Sequence, residues 1–159
     1  IMVMTEIFDK LKSLQVILGR KYELEQLIEE APKQLTSQEE LLARMKKEYI
    51  EKNRDYEAVK EKVGNIKLDL ETAIKTREAG EKNMDNITTH REYEALEKQI
   101  SEASVKESEL RKELQKEDKI LAELDDTLKT TEAMISSQET DLASSKDSLN
   151  SQMKQHGVV

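Results

Sequence analysis

The chain has no cysteine in its 159 residues, one proline, four glycines, no tryptophan and only 3% aromatic residues. Without cysteine there is no disulfide framework, no Cys-based zinc site, no iron–sulfur ligand and no thiol nucleophile in these residues. The glycines, Gly19, Gly64, Gly80 and Gly157, are scattered, so no glycine-rich loop is present to cradle a phosphate. Hydrophobic residues make up 36% of the chain, against nearly half in an ordinary domain, which is too little apolar mass for a thick globular core. A compact enzyme is therefore not expected. The longest apolar stretches, such as Leu14 to Leu18 with Gln15 inside, fall far short of the roughly 20 residues that cross a bilayer, so no membrane span is expected. The opening Ile-Met-Val-Met-Thr-Glu has neither a basic leader nor a sustained apolar run, so no secretory signal is visible and a cytoplasmic setting is expected. Ile1 is not a natural start and reads as an addition ahead of Met2 or Met4, which suggests an edited fragment.

What the chain does have is charge, 38% of its residues, and a surplus of Glu, Lys, Leu and Gln. These are good helix formers, and the scarcity of Gly and Pro sets the chain apart from disordered sequences of similar charge. The net charge of −8 argues against a dedicated nucleic-acid binder, which needs a cationic face. Basic spots do occur at Arg44-Met45-Lys46-Lys47, at Arg111-Lys112 and in the group Lys75, Arg77, Lys82, His90 and Arg91. Acids such as Glu78, Glu81, Asp85 and Glu92 interleave the last group, so ion pairs one helical turn apart are the plain reading and phosphate binding the second one.

Heptads decide the architecture, because two apolar positions in seven keep a seam on one side of a helix. With multiples of seven as position a, Ile7, Leu14, Ile28, Leu35, Leu42, Tyr49, Tyr56, Val63, Leu70 and Met84 form a seam broken only by Lys21 and Arg77. The d positions, from Val3 and Ile17 to Ala73, Gly80 and Ile87, are weaker but continuous. A second seam starts in a new phase with Tyr93, Ile100, Leu114, Leu121, Leu128, Ile135, Leu142 and Leu149, interrupted by Glu107. Between them lie Asn83, Asp85 and Asn86, which favour turns, and Thr89-His90-Arg91-Glu92, which fits a capping box.

The sequence thus predicts an all-α fold, a long antiparallel coiled-coil hairpin whose first arm is kinked near Pro32. The alternative at Pro32 is a full break with a restart at the capping boxes of Thr36-Ser37-Gln38-Glu39-Glu40. The expected segments are an N-terminal helix over 1–31 running into the first arm over 32–83, a tip turn over 84–89, a returning arm over 90–155 and a frayed tail over 156–159. A turn centred near residues 86 and 87 predicts that facing residues have numbers adding to 173, with Val63 beside Leu110 and Val59 beside Leu114. Polar residues within the seam, Gln38, Lys52, Arg77, Glu107 and Glu117, are expected to weaken it while setting register and orientation. The 173 register puts His156 opposite Ile17 and leaves Ile7, Phe8, Leu11 and Leu14 without a partner. An absent downstream segment, a fold-back of the first helix, or an oligomer would cover that face.

No catalytic constellation is visible. The many carboxylates follow the solvated faces of the heptads, and Ser136-Ser137 and Ser144-Ser145 have no base in a triad-like setting. His90 and Glu94 lie one turn apart, but two ligands without a third do not make a metal site.

The stretch Ile87-Thr-Thr-His-Arg-Glu-Tyr-Glu-Ala-Leu-Glu-Lys-Gln-Ile100 resembles the segment in which bacterial C4-type zinc-ribbon proteins leave their hairpin turn. That segment is written as polar or basic residues followed by Glu-Tyr-x-Ala-Leu-x-x-x-Ile, and Glu92, Tyr93, Ala95, Leu96 and Ile100 fall on it. The plan of a short N-terminal helix, a proline and two long arms is also similar. Members of that family carry a C-terminal ribbon with two Cys-x-x-Cys pairs that hold zinc, so the resemblance implies zinc in a segment absent from this chain and no metal ligand within it. It further implies cytoplasmic, non-enzymatic work. Members are flagellar or type III secretion accessories that bind the sigma factor RpoN or secretion-ATPase components, with nucleic-acid binding attributed to the ribbon. On that reading partner contacts gather at the tip, on Asp85, Asn86, Thr89, His90, Arg91, Glu92 and Tyr93, while Ile7, Phe8, Leu11 and Leu14 form the surface for the missing segment or an oligomer. A monomer is favoured, with a dimer through the N-terminal apolar face as the other outcome. The alternative from a different class is a purely structural coiled-coil spacer or dimerisation segment of a larger protein.

Overall fold

The computed structural model describes residues 1–157. Two long helices, α1 (Met2–Asn83) and α2 (His90–Gln155), are joined through a short 3-10 turn (Met84–Asn86), with no strand among the described residues. The helices pack against each other as a helical hairpin. Pro32 lies inside α1. Its ring nitrogen has no proton to offer the Ile28 carbonyl one turn back, and Ile28 is exposed, so water can take that place. The restart at Thr36 does not form: the Thr36 hydroxyl donates instead to the Pro32 carbonyl at 2.9 Å, a bond made within a continuing helix.

The chain divides into two compact units, residues 49–130 and residues 1–48 with 131–159. In the first of these, the tip unit, the core is one seam holding Val63, Ile66, Leu70, Ala73, Ala103 and Leu128, which are apolar or small at heptad spacing as the pattern requires. Its register differs from expectation. A Cβ placed on Gly80 would lie 2.7 Å from Ile100 Cγ1, so facing numbers add to 180, one heptad away from 173. The 173 register would have put Tyr93 against Gly80, and Tyr93 is 43% exposed. The cause is the turn. Met84–Asn86 wind onward as a 3-10 segment instead of doubling back, and Ile87 is extended at φ −86° and ψ 135°. The crossing therefore sits higher than residues 86 and 87, and Asn83 stands level with Glu97 instead of His90.

Three of the polar seam residues of this unit, Arg77, Glu107 and Glu117, pair across it. The 180 register sets Glu107 opposite Ala73 and Arg77 opposite Ala103, so each long charged side chain faces an alanine with space to spare. Arg77 Nε donates to Glu107 Oε2 at 2.7 Å, and Glu107 Oε1 accepts from Arg111 Nη2 at 2.9 Å. Those two hydrogen bonds, Arg77 first, hold the Glu107 carboxyl below the usual carboxylate range. Arg77 is pushed above its ordinary value by Glu107 and then by Glu81. Glu117, buried beside Val63, accepts from Lys62 Nζ at 2.9 Å, and that bond raises the lysine. On α2, Lys129 is raised by its hydrogen bond to Asp125.

Among the described residues of the other unit, only Leu42 and Leu142 are buried. Lys46 meets Glu139 at 3.0 Å and Glu39 meets Lys146 at 3.3 Å, pairs whose equal sums flank the layers of Leu42 with Gln138 and Gln38 with Leu142. The seam then thins into an open groove of about 330 Å³ along Gln34, Gln38, Ser145 and Ser148, where the Gln38 Oε1 is buried without a hydrogen-bond partner. Small hydroxyls and amides fill less volume than leucine and keep water close. The helix α2 ends on a built stop. Gly157 adopts φ 74° and its amide donates to the Lys154 carbonyl at 3.0 Å, a left-handed cap that glycine supplies without strain. Residues 156–159 read as frayed in the sequence; His156 and Gly157 form this capping turn, and the remaining two residues lie outside the described ones.

Candidate functional site

The tip is assembled from the last layers of the seam upward. Gly80 has no side chain, so Ile100 and Leu96 approach the α1 backbone closely, with Leu96 Cδ1 at 3.6 Å from the glycine's would-be Cβ. Met84, Ile87, Leu96 and Ile100 are half-buried and make an apolar floor. Above it, Thr89 starts α2 by accepting from the Glu92 amide on its hydroxyl at 3.2 Å, which satisfies one of the free donors of the first turn. This is the first half of the expected capping box. The return bond from the Glu92 carboxylate is not made among the described residues.

All seven tip residues singled out in the sequence, Asp85, Asn86, Thr89, His90, Arg91, Glu92 and Tyr93, are exposed and lie together around this crossing. The motif therefore divides in two. Leu96 and Ile100 close the seam against Gly80, whereas Glu92 and Tyr93 face solvent. What the sequence did not disclose is the part played by Gly80, which reads there as a weak seam position next to a turn. The signal in the sequence was a glycine at a d position, which permits close backbone approach; that Ile100 fills the space follows only from the observed register.

Electrostatically the tip is mixed. His90 Nε2 lies 3.0 Å from Glu94 Oε1, and Asp85 and Glu92 balance the positive charge of Arg91 in the same small surface. Below it, Lys75 pairs with Glu71 at 2.9 Å and Arg77 with Glu81 at 3.1 Å. Three of the five residues of the basic group, Lys75, Arg77 and His90, thus meet acids one turn away, which disperses the cationic face that phosphates need. His90 and Glu94 have no third ligand, and no group of three or more His, Cys, Asp or Glu among the described residues is placed to hold a metal. These residues contain no thiolate, and the zinc that the resemblance implies belongs to a segment outside them.

No family model, curated protein or solved structure matches the chain. No helix among the described residues is long and apolar enough to cross a membrane.

The second surface singled out in the sequence lies on α1. Ile7, Phe8, Leu11 and Leu14 are all at least half exposed, and so are Val16, Ile17 and Leu18. The expected pairing of His156 with Ile17 is replaced by a position beside Glu23, at 4.0 Å. The longer bare stretch is the direct result of the one-heptad change in register, which carries the end of α2 seven residues further along α1. Lys12 Nζ lies 4.8 Å from the Phe8 ring centroid, an exposed cation–π contact.

Proposed function

We propose that the chain is the protein-binding hairpin of a non-enzymatic adaptor or chaperone-like accessory, and that the tip is its contact surface. The observation that carries this reading is the division of the tip motif. Residues that hold the fold, Gly80, Leu96 and Ile100, are packed inward, while Asp85 on the 3-10 turn and Arg91, Glu92 and Tyr93 on the capped start of α2 are presented outward. A tyrosine and an arginine standing on a rigid apolar floor suit a protein partner, since such side chains supply much of the energy of interfaces. The mixed charge of the tip favours a protein over a nucleic acid there.

The resemblance of Glu92-Tyr93-x-Ala95-Leu96-x-x-x-Ile100 to the C4-type zinc-ribbon family supplies the finer assignment. On it, the partner is an RpoN-type sigma factor or a component of a flagellar or type III secretion ATPase, the setting is cytoplasmic, and zinc and any nucleic-acid binding belong to a ribbon segment rather than to these residues. A direct test measures binding of the purified chain to each of these two partner types. Arg91→Glu with Tyr93→Ala should weaken capture at least tenfold while the helical signal is unchanged; equal capture by the double variant would sink the tip assignment. Failure of both partner types to bind would remove the family-based assignment.

A further inference from the structure

We infer that the outer unit contains a segment that opens cooperatively: residues 24–35 of α1 and 145–156 of α2 part together, while the layers of Leu42 and Leu142 and the tip unit stay closed. The first support is the order of the layers. The ion pairs Lys46 with Glu139 and Glu39 with Lys146 fix the register of this unit. Carried toward the ends of the helices, that register sets Leu142 against Gln38, Leu35 against Ser145, Leu149 against Ala31 and Leu24 against His156. In each of these layers a large apolar side chain meets a polar or small one, so little apolar surface is shared. Leu27 with Met153 is the apolar layer among them, and both residues are only half-buried. Outward of Leu42 and Leu142 no described residue is buried. Open grooves of about 330 Å³ and about 460 Å³ follow the same stretch and share Ala31, Gln34 and Gln152. No strong layer therefore stops a separation between the outer end and Leu142.

Three further features fall on this stretch. The Gln38 Oε1 at its inner rim is buried without a hydrogen-bond partner. Parting of Leu35 from Ser145, the next layer outward, gives that oxygen water, which the closed state withholds. The backbone of α1 is weakened in the same place. Pro32 leaves the Ile28 carbonyl without its helical donor, and the Thr36 hydroxyl donates to the Pro32 carbonyl at 2.9 Å, a bond that tends to bend a helix. Beyond the two ion pairs, the charged contact between the helices among the described residues is His156 with Glu23 at 4.0 Å, and that glutamate is largely exposed. Such a contact holds little. Once parted, helical stretches of this length are marginal in water, so opening removes amide protection from both helices at once.

Hydrogen exchange of the whole chain, read amide by amide, is the test. Residues 24–35 and 145–155 should share one level of protection, about tenfold or more below that around Leu42, Leu142 and the tip-unit core. Residues 1–19 lie beyond the end of α2 and are left out of the comparison. Gln38→Leu with Ser145→Leu fills the two polar layers and should raise protection in both stretches by about tenfold or more, with the tip unit unchanged. Leu142→Ser acts in the other direction and should carry the fast exchange inward to the layer of Met45 and Ile135. A smooth fall of protection toward each helix end, with no shared level, is ordinary fraying and would overturn the proposal. So would outer amides as protected as those of the tip unit, or a double variant that slows exchange in one helix and not in the other. Should either variant lose helix, the wild-type profile decides by itself between a shared level and a gradient.

Discussion

The tip unit and the unit built from the chain's outer segments use the same kind of repeat and obtain different cores from it. In the tip unit, Val63, Ile66, Leu70, Ala73 and Ala103 are at most 8% exposed, and the charged seam residues Arg77, Glu107 and Glu117 all have partners. Among the described residues of the other unit, Leu42 and Leu142 alone are buried, and Gln38 sits in the seam with an unanswered oxygen. The lesson is that heptad spacing selects which positions face inward, whereas the volume and pairing of their side chains determine how well that inner layer closes. Ser145 and Gln38 keep the spacing and lose the packing. Arg77 and Glu107 break the apolar pattern and keep it, since each faces an alanine and the two bond to each other.

The register common to the ion pairs and close contacts of each unit can be broken most decisively by cross-linking. Ile66→Cys with Leu114→Cys in the tip unit, and Leu42→Cys with Gln138→Cys in the other, should join through a disulfide or a short thiol linker. Val59→Cys with Leu114→Cys, the pair of the 173 register, should not; efficient linkage there with none at Ile66 would restore the shorter register.

Truncation measures the contrast in packing. Ile66→Ala should cost about 3 kcal/mol, as expected for a buried aliphatic, while Leu35→Ala, half-buried beside the groove, should cost less than about 1.5 kcal/mol. Hydrogen exchange is the suitable readout because it resolves local stability along each helix. Equal losses at the two sites would show that the outer seam is as tight as the inner one.

Glycine replacements sharpen the comparison within the helices. Gly64→Ala and Gly19→Ala meet nothing within 4 Å and should each stabilise by about 0.5–1 kcal/mol through better helix propensity. Gly80→Ala gains the same propensity but drives a methyl to within 2.7 Å of Ile100, so a net loss of about 1 kcal/mol is expected. Thermal unfolding of the three variants checks the change of sign.

The smallest effect concerns pH. Glu107 has its folded-state pKa lowered from 4.5 by Arg77 and Arg111. Its contribution is therefore present above the unfolded value and is lost as pH falls from about that value through the lower folded one. Wild-type tip-unit stability should decline across that window, with a shallower decline in Glu107→Gln; identical slopes would mean that Glu107 carries no native-state preference for its charge. Lys62 works in the opposite sense. Its pKa is raised above 10.5, so its pairing with Glu117 holds below that value and is lost as pH rises through the folded one.

The sequence by itself determined two helices, most of their inward positions, with Ile28 and Tyr93 exposed against the expected seam, and the start of α2 at the Thr89 cap, because these depend on composition, seven-residue spacing and contacts within one turn. The exposure of the tip residues and of Ile7, Phe8, Leu11 and Leu14 was also legible, as they lie at a chain reversal or beyond the reach of α2. It could not determine which heptad faces which. Registers of 173 and 180 differ by seven and set the same seam classes against each other, so periodicity scores them alike. Only the tertiary structure separated them, through the onward 3-10 winding of Met84–Asn86 and the close seating of Ile100 on Gly80. From that one choice followed which charges could meet, Arg77 with Glu107 and Lys62 with Glu117, and how much of α1 was left uncovered.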